Sequence, residues 1–232
     1  MARRGDAKSL AADVYARIRE SIFNGTLRPG DRIQPAVLGE QYNASTTVIR
    51  EALALLAGER LVQTRTGHGF YIPELKRSEL EDLTLVRQDV ESLAVRLAAE
   101  RGGVDWESKL MATHHKLART PRRTADNPNH TSQLWSEAHR EFHAQLIVAC
   151  DIPMLLDICQ QLGSATELYR VWVGELTRGH TRDVEAEHAA ILDAVLAGEP
   201  AKAAEVLAAH YRGTADMILA QWPEGTEVAP VA

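Results

Sequence analysis

Four histidines are spaced so that helical geometry would bring their rings together. His139 and His143 are four residues apart and therefore project from one face of a helix. His188 and His210 lie at similar distances before and after a turn signal at Gly198–Glu199, so two antiparallel helices would place them at nearly the same height. Four neutral imidazoles favour Zn²⁺ or Ni²⁺ over Mn²⁺ or Mg²⁺, which prefer oxygen ligands. The spacing therefore indicates a candidate metal site.

Two alternatives remain open for these histidines. Pairs at this spacing arise by chance in a chain with nine histidines, and single helical histidines are commonly surface or core residues. If all four histidines bind zinc, they fill a tetrahedral shell and the site is purely structural. A metal that also binds a small molecule needs a free coordination position, and the spacing does not choose between the two arrangements.

A second set of residues has the types expected for contacts with the phosphates and bases of DNA. Hydroxyl groups at a helix N-terminus bind phosphate well, and an arginine one turn further along can reach a base edge. A glycine-rich hairpin that follows the helix adds a basic residue and a histidine. The candidate DNA-contacting residues are Ser45, Thr46, Thr47, Arg50, Arg65 and His68. Arg50 has an alternative role as a salt-bridge partner of Glu40 or Glu51.

The elements around this set predict a winged helix-turn-helix. They are a helix over 9–23 with Leu10, Val14, Ile18 and Ile22 on its apolar face, a short helix from Pro35 to Asn43, a helix capped by Ser45 and broken at Gly58, and strands over 61–64 and 70–72. This order places a polar helix start and a hairpin where a winged helix contacts DNA. A small helical domain that happens to end in a hairpin is the alternative.

The rest of the chain has a helical pattern almost throughout. Pro73 ends the hairpin, and Ser78 and Glu81 form a capping box that opens a new helix. The predicted helices cover 78–101, 105–118, 131–150, 153–176, 182–196 and 200–221. In the first of them we expect a stripe of Leu83, Val86, Val90, Leu93 and Leu97 to face inwards. The fold class is therefore mainly α: an N-terminal winged helix-turn-helix followed by an all-α antiparallel helical bundle.

Length, charge and cysteine content bound the possible classes of protein. A chain of 232 residues suits two small domains, which we place at 1–75 and 76–222, with a C-terminal tail at 223–232. Residues 1–75 carry a net charge of +2 and the remainder −8, which weakly supports a phosphate-binding first domain. The chain has no apolar run of membrane-spanning length and no signal-peptide pattern. Cys150 and Cys159 lie among apolar helical residues, so we expect core cysteines, a cytoplasmic location and no membrane partner.

The N-terminal motifs resemble those of the GntR family of bacterial transcription regulators. The match rests on the order and spacing of Gly25-x-Leu27-x-Pro29-Gly30-Asp31, Ser45-x-Thr47-x-x-Arg50-Glu51-Ala52-Leu53, and Leu56 with Leu61–Val62. The resemblance implies a homodimer on a palindromic double-stranded DNA operator. It also implies that both recognition helices enter the major groove and that the wings lie near the minor groove.

Two positions depart from the pattern of that family. The family usually has arginine directly after the capping Ser or Thr, and often another arginine in the preceding helix, where this sequence has Thr46 and Ala36. A bidentate contact from arginine to guanine contributes about 1–3 kcal/mol of base discrimination. We therefore expect an operator preference that differs from the usual one.

The C-terminal part resembles the ligand-binding FCD domain of the FadR-type branch of the family. The resemblance is carried by Phe142–His143, Glu187–His188, His210–Tyr211, Arg87 and Glu91. In metal-binding members an Asp-x-x-x-His pair and two later histidines hold a divalent ion, and His139 stands here in the place of that Asp. The resemblance implies a metal at His139, His143, His188 and His210, and a small organic acid as effector. Arg87 is the candidate clamp for that acid, with an internal salt bridge to Glu91 as the alternative.

These features predict a metabolite-responsive transcription regulator, a repressor and not an enzyme. One alternative is a metalloenzyme built on a four-histidine bundle. Such an enzyme needs a general acid or base, and the spacing reveals no Glu or Asp placed for that role apart from Glu187, which is beside His188 but on a different helix face. The other alternative is a regulator whose bundle serves only structure or dimerisation.

Overall fold

The computed structural model describes residues 4–123, 131–173, 182–222 and 224–228, with side chains from Leu10 onwards. The chain divides into two compact units, Met1–Lys76 together with Thr226–Ala232, and Arg77–Gly225. Val228, in the segment predicted as a tail, forms an antiparallel bridge with Lys76. Within the described ranges no helix has the length and apolar character needed to cross a membrane.

The first unit contains three helices that each bury one apolar face. They are α1 (Arg4–Phe23), α2 (Pro35–Tyr42) and α3 (Thr46–Gly58). Helix α1 begins before the predicted start, and it buries Val14, Ile18 and Ile22 as expected. Leu10, which was expected on the same face, is 37% exposed, and Ala11 is buried there instead. The inward face is therefore shifted by one residue at the start of the helix.

A short turn separates α2 from α3, with Asn43 at the end of α2 and Ser45 at the start of α3. Asn43 ends α2 in the left-handed conformation, with φ of 52°, a conformation that asparagine tolerates better than most residues. The Ser45 hydroxyl accepts a hydrogen bond from the backbone N–H of Val48 at 3.3 Å, which confirms the predicted cap. Ile49, Leu53 and Leu56 are fully buried, so the opposite face of α3 is left to solvent.

A three-stranded antiparallel sheet completes this unit. Its strands β1 (Arg32–Ile33), β2 (Gln63–Arg65) and β3 (Gly69–Tyr71) lie in the order β1-β3-β2. Thr64 pairs with Phe70, and Gly67 and Gly69 adopt positive φ at the turn. The hairpin confirms the predicted wing. Strand β1 was not predicted, because two residues are too few to show an alternating pattern.

The second unit is an antiparallel helical bundle. Its elements are α4 (Arg77–Arg101), α5 (Val104–Arg119), α6 (Gln133–Ile147) followed by a 3-10 turn (Val148–Cys150), α7 (Pro153–Trp172), α8 (Val184–Leu196) and α9 (Pro200–Leu219). The order agrees with the prediction. Residues 174–176, which were predicted to extend α7, lie outside the described residues, as does most of the predicted loop over 120–129.

The buried face of α4 differs from the predicted one. Val86 and Leu93 of the expected apolar stripe are 46% and 40% exposed. The buried face instead carries Leu80, Thr84, Arg87, Glu91, Ala94, Val95 and Ala98. This choice of face is possible because Arg87 and Glu91 neutralise each other inside the bundle. The prediction was wrong for Val86 and Leu93, because apolar spacing alone gave no weight to a buried ion pair, whereas Val90 and Leu97 are partly buried against the core.

The apolar core of the bundle extends to the edge of the histidine group. Phe142 is fully buried, and its ring centroid lies 5.4 Å from that of His143 and 5.3 Å from that of His188. Cys150 and Cys159 are free and buried in the same core, as predicted. Burial raises the pKa of the Cys159 thiol to about 12, which keeps it protonated and unreactive at neutral pH.

Candidate functional site

The predicted DNA-contacting residues of α3 lie together on its exposed first turns. Ser45, Thr46, Thr47 and Arg50 are all exposed, because the opposite face of the helix carries the buried apolar residues. Within the described part of the chain, Arg50 forms no ion pair with Glu40 or Glu51, the two glutamates that its sequence position suggested. The alternative role of Arg50 therefore has no support in the structure.

The wing carries the other two candidates. His68 is exposed in the turn between β2 and β3. Arg65 lies on β2 with its guanidinium carbon 4.5 Å from the centroid of the Tyr71 ring and Nη2 3.9 Å from a carboxylate oxygen of Glu74. Both partners of that ion pair are 45% exposed, and such pairs contribute little to stability, so Arg65 can exchange Glu74 for a phosphate.

The four histidines of the bundle meet as the sequence predicted. Helix α6 supplies His139 and His143, α8 supplies His188 and α9 supplies His210. One ring nitrogen from each lies within 4.8 Å of those of the others. His143, His188 and His210 are buried, whereas His139 is only partly buried. The group therefore has the size and the donor atoms of a metal centre.

A chain of hydrogen bonds fixes the ring of His143. The Nδ1 atom of His143 lies 3.2 Å from the Tyr211 hydroxyl, which itself donates to Glu91. Arg87 holds the other oxygen of Glu91, and its guanidinium carbon lies 3.9 Å from the Tyr211 ring centroid. Because the single hydroxyl proton is used on Glu91, the Tyr211 oxygen accepts from Nδ1–H of His143. The Nε2 atom of His143 then has a free lone pair.

Glu187 fixes the ring of His210 by a hydrogen bond. The Nδ1 atom of His210 lies 2.8 Å from a Glu187 oxygen, and Arg182 binds both oxygens of that carboxylate. Burial acts to raise the pKa of Glu187, but hydrogen bonds from His210 and Arg182 outweigh it and lower that pKa. A Cβ atom at Gly213 would lie 3.0 Å from Arg182 Nε, so the glycine leaves room for this arrangement. Carboxylates that orient a metal-binding imidazole in this way are typical of metal centres.

The chemistry of the donors fits a divalent metal. The Nε2 atoms of His143 and His188 are buried and have no hydrogen-bond partner among the described residues. Burial lowers the pKa of all four imidazoles, that of His188 to about 2, so the rings are uncharged at neutral pH. Unpaired buried nitrogens cost about 1–3 kcal/mol each, and a metal ion bound to their lone pairs would remove that cost.

His139 has different surroundings from the other three. Its Nδ1 atom lies 3.1 Å from Nη1 of Arg170, and its ring is stacked on Trp135 with centroids 4.7 Å apart. Arg170 also contacts Glu167, which is buried and shared with Arg140. Arg170 could not be identified from the sequence, because contacts between α6 and α7 depend on how the helices pack.

The predicted effector clamp, Arg87, forms the internal ion pair that was its alternative role. It is buried, its Nε atom donates to Glu91, and its guanidinium stacks on Tyr211. Its contact with an effector stays a prediction. Arg182 and Arg170 were not identified from the sequence, and the orienting roles of Tyr211 and Glu187, which the resemblance had named, were not foreseen.

Replacing Glu187 with glutamine is expected to weaken Zn²⁺ binding by about tenfold to a hundredfold, because a neutral amide holds the His210 imidazole less well than a carboxylate does. Competition with a chromophoric chelator measures the change. Glu185→Gln is the matched control, since Glu185 is exposed on the same helix. Equal Zn²⁺ affinities for the two variants would show that Glu187 does not support the site.

Comparison with protein families gives two matches that follow the two units. Residues 10–72 match the family described as bacterial regulatory proteins, gntR family. Residues 82–213, more than half of the chain, match the FCD domain. The histidine group lies within the second match.

Known proteins of similar sequence and fold agree with these matches. The uncharacterized HTH-type transcriptional regulator BphR of Paraburkholderia xenovorans is 31% identical over 216 residues, 92% of this chain and 86% of that protein. The HTH-type transcriptional repressor GlaR of Escherichia coli is 28% identical over 201 residues, 85% of this chain and 90% of that protein.

Among solved structures, Escherichia coli McbR/YncC superposes with a TM-score of 0.73 at 21% identity, over 91% of this chain and 98% of that one. A putative GntR transcriptional regulator from Rhodococcus sp. RHA1 superposes with a TM-score of 0.71 at 20% identity, over 93% and 100% of the two chains. These structures show the shared fold. The similar sequences are named as transcription regulators, so the metalloenzyme alternative is set aside. The chain belongs to the GntR family of bacterial transcription regulators, with an FCD domain after its DNA-binding domain.

Proposed function

We propose that this regulator is a metabolite-responsive repressor that binds a palindromic operator as a homodimer and holds a divalent metal, Zn²⁺ or Ni²⁺, in an effector pocket. The observation that carries the proposal is the pair of buried, unpartnered Nε2 atoms on His143 and His188, in the part of the chain that matches the FCD domain. We place its action in the cytoplasm. GlaR is named a repressor, which supports the direction of the regulation.

The proposed DNA contacts divide into phosphate contacts and base contacts. The hydroxyls of Ser45, Thr46 and Thr47 lie at the N-terminus of α3, where backbone N–H groups also favour a phosphate. Arg50 is one turn further along the exposed face and is the candidate for a base edge in the major groove. Arg65 and His68 lie exposed on the wing, and we propose that they contact DNA beside α3. Two such domains in a homodimer would bind half-sites about one helical turn apart.

The proposed effector is a small organic acid because the site is electrically positive. A divalent ion held by neutral imidazoles keeps its full charge, and it would supply a direct binding site for a carboxylate. The buried guanidiniums of Arg87 and Arg170 add positive charge near the histidines, although Glu91 and Glu167 partly compensate it. An anionic ligand is therefore favoured over a neutral or cationic one. Arg87 is proposed to act on the effector through this charge, with Glu91 as its direct partner.

The effector is proposed to act by changing the population of two states of the dimer. Binding of the acid would favour a state in which the two winged helices no longer fit both half-sites. Coupling of this kind is typically about 1–3 kcal/mol, which corresponds to about a 5- to 150-fold change in operator affinity. The remaining alternative is a bundle whose metal is only structural, in which case no acid changes the affinity for DNA.

The experiment that tests the proposal begins by selecting a duplex from a random pool with the metal-loaded protein. Fluorescence anisotropy then gives the affinity for that duplex with and without a panel of organic acids. We expect a selected palindrome to bind at least a thousandfold more tightly than bulk DNA, about the lower limit of specific recognition. Failure to select any duplex would contradict the DNA-binding part of the proposal, and indifference to every acid would contradict the effector part.

Replacing Thr46 with arginine is expected to restore a guanine contact that the family pattern has at this position. Thr46 is exposed directly after the cap Ser45, so a longer side chain can be accommodated. The gain is about 1–3 kcal/mol for a duplex with guanine at the contacted position. Repeating the selection with the variant measures the shift in base preference. Thr113→Arg, on α5 of the bundle, is the control, and an unchanged preference in the Thr46 variant would show that this residue does not reach the bases.

A further inference from the structure

We infer that His139 is not a ligand of the proposed metal but a hydrogen-bond donor to the effector, beside a three-histidine centre of His143, His188 and His210. The inference rests on the proposed function, since it assigns different roles to the four histidines of that same site. It also decides between a closed, purely structural shell and a centre with a free coordination position, which the sequence left open.

The direction of one hydrogen bond separates His139 from the others. Its Nδ1 atom lies 3.1 Å from Nη1 of Arg170. A guanidinium has donors and no acceptor, so Nδ1 of His139 is the acceptor in this contact. The lone pair of Nδ1 is therefore occupied, and in a neutral ring the proton lies on Nε2. Whichever nitrogen is considered, His139 has no free lone pair for a metal while this contact persists.

The hydrogen-bond partners of His143 and His210 place the ring proton on Nδ1, whereas in His139 it lies on Nε2. The Tyr211 hydroxyl accepts from His143 Nδ1–H, as its own proton is used on Glu91. Glu187, at 2.8 Å, accepts from His210 Nδ1–H, whereas Arg182 is further from that nitrogen, at 3.3 Å. Protonation at Nδ1 leaves the Nε2 lone pair available, which is the state that a metal requires.

Further contacts hold the His139 ring against Arg170. Its ring is stacked on Trp135 with an interplanar angle of 25°. Arg170 is held by Glu167, which is 4% exposed and also binds Arg140, so the guanidinium has little freedom to withdraw. Ligation of a metal through Nδ1 of His139 would break its contact with Arg170 and remove a hydrogen-bond partner from a buried guanidinium.

Three protein ligands leave a zinc centre with an open position, as in centres that bind substrate or water. His139 is the partly buried member of the group, whereas the three inferred ligands are buried. The N–H of its ring is then available to an anion that binds at the open position. The chemical class of ligand is a carboxylate, because a carboxylate offers one oxygen to the metal and a second oxygen to the N–H donor.

The first experiment compares Zn²⁺ affinities of alanine variants by chelator competition. His143→Ala, His188→Ala and His210→Ala are each expected to lose more than about a hundredfold in affinity, which exceeds the loss caused by removing a residue that only orients a ligand. His139→Ala is expected to lose less than about tenfold. Circular dichroism and thermal melting confirm that each variant is folded. If His139→Ala loses as much affinity as the other three, His139 is a ligand and the inference is overturned.

The second experiment uses the Co²⁺-loaded protein with acetate as the probe. In the wild type, acetate is expected to change the Co²⁺ absorption spectrum, because it enters the open position. His139→Ala should bind acetate about tenfold more weakly, since a hydrogen bond to a charged group is lost. His139→Gln should recover part of that loss, because its amide can also donate. A wild-type spectrum unaffected by acetate, or equal acetate affinity in wild type and His139→Ala, would overturn the inference.

Neither experiment involves DNA, so its outcome is independent of operator binding. If the wild type binds no Zn²⁺, both the inference and the metal part of the proposed function fail. If the wild type binds Zn²⁺ and only the contrast between His139 and the other three is missing, the inference alone fails.

Discussion

Replacing His188 with alanine is expected to abolish the stabilisation of this protein by Zn²⁺. His188 is 2% exposed and its Nε2 atom is buried without a partner among the described residues, so its replacement removes a proposed ligand and an unpaired polar group together. In the wild type, Zn²⁺ at a hundredfold excess over its Kd stabilises the folded state by about 2.7 kcal/mol. That free energy corresponds to a rise in Tm of about 5–10 °C for a domain of this size. Differential scanning calorimetry with and without Zn²⁺ measures the Tm of the wild type and of His188→Ala.

His115→Ala is the matched control, because His115 is exposed on α5 of the same bundle. This variant should keep the full Zn²⁺-dependent rise in Tm. A similar rise for His188→Ala would mean that Zn²⁺ binds elsewhere on the chain, and the assignment of the metal to the histidine group would be lost.

Replacing Arg50 with alanine is expected to weaken binding to the selected operator by about 1–3 kcal/mol per half-site and to relax the base preference at the contacted position. The side chain is exposed one turn after the N-terminus of α3. Arg50 is the proposed base contact of α3, so we expect its loss to reduce affinity for the selected operator more than loss of a hydroxyl residue proposed to contact phosphate. Anisotropy titrations at a fixed salt concentration measure it, because contacts with phosphate depend strongly on salt.

Arg119→Ala is the control for this change, as it removes an exposed arginine from the bundle and leaves the winged helix intact. Its operator affinity should equal that of the wild type. If Arg50→Ala lowers affinity equally for all duplexes, Arg50 contacts phosphate and the base contact must be sought among the hydroxyl residues of α3.

The histidine group was accessible from the sequence because its geometry is local. His139 and His143 share a helix face by spacing alone, and His188 and His210 are related through one turn. The groups that orient them were not accessible. Tyr211 reaches His143 from a different helix, and Glu187 serves His210 although it is the sequence neighbour of His188. Such contacts depend on the rotation of packed helices about their axes, which spacing does not determine.

The fold shows the same division between local and long-range information. The cap at Ser45 and the hairpin around Gly67 were predictable because they depend on a few adjacent residues. The buried face of α4 was not predictable in this way, since Arg87 and Glu91 are buried in the bundle whereas Leu93 is 40% exposed. A buried polar pair is compatible with the core only through the partners it meets there, above all Tyr211.

The proposed regulation depends on the link between the proposed metal pocket and operator binding. The most direct test is the operator affinity of the metal-loaded wild type and of His188→Ala, measured by anisotropy over a panel of small organic acids. We predict that at least one acid changes the affinity of the wild type by about fivefold or more and leaves that of the variant unchanged. An affinity that no acid alters, or an equal response in both proteins, would contradict the proposed regulation.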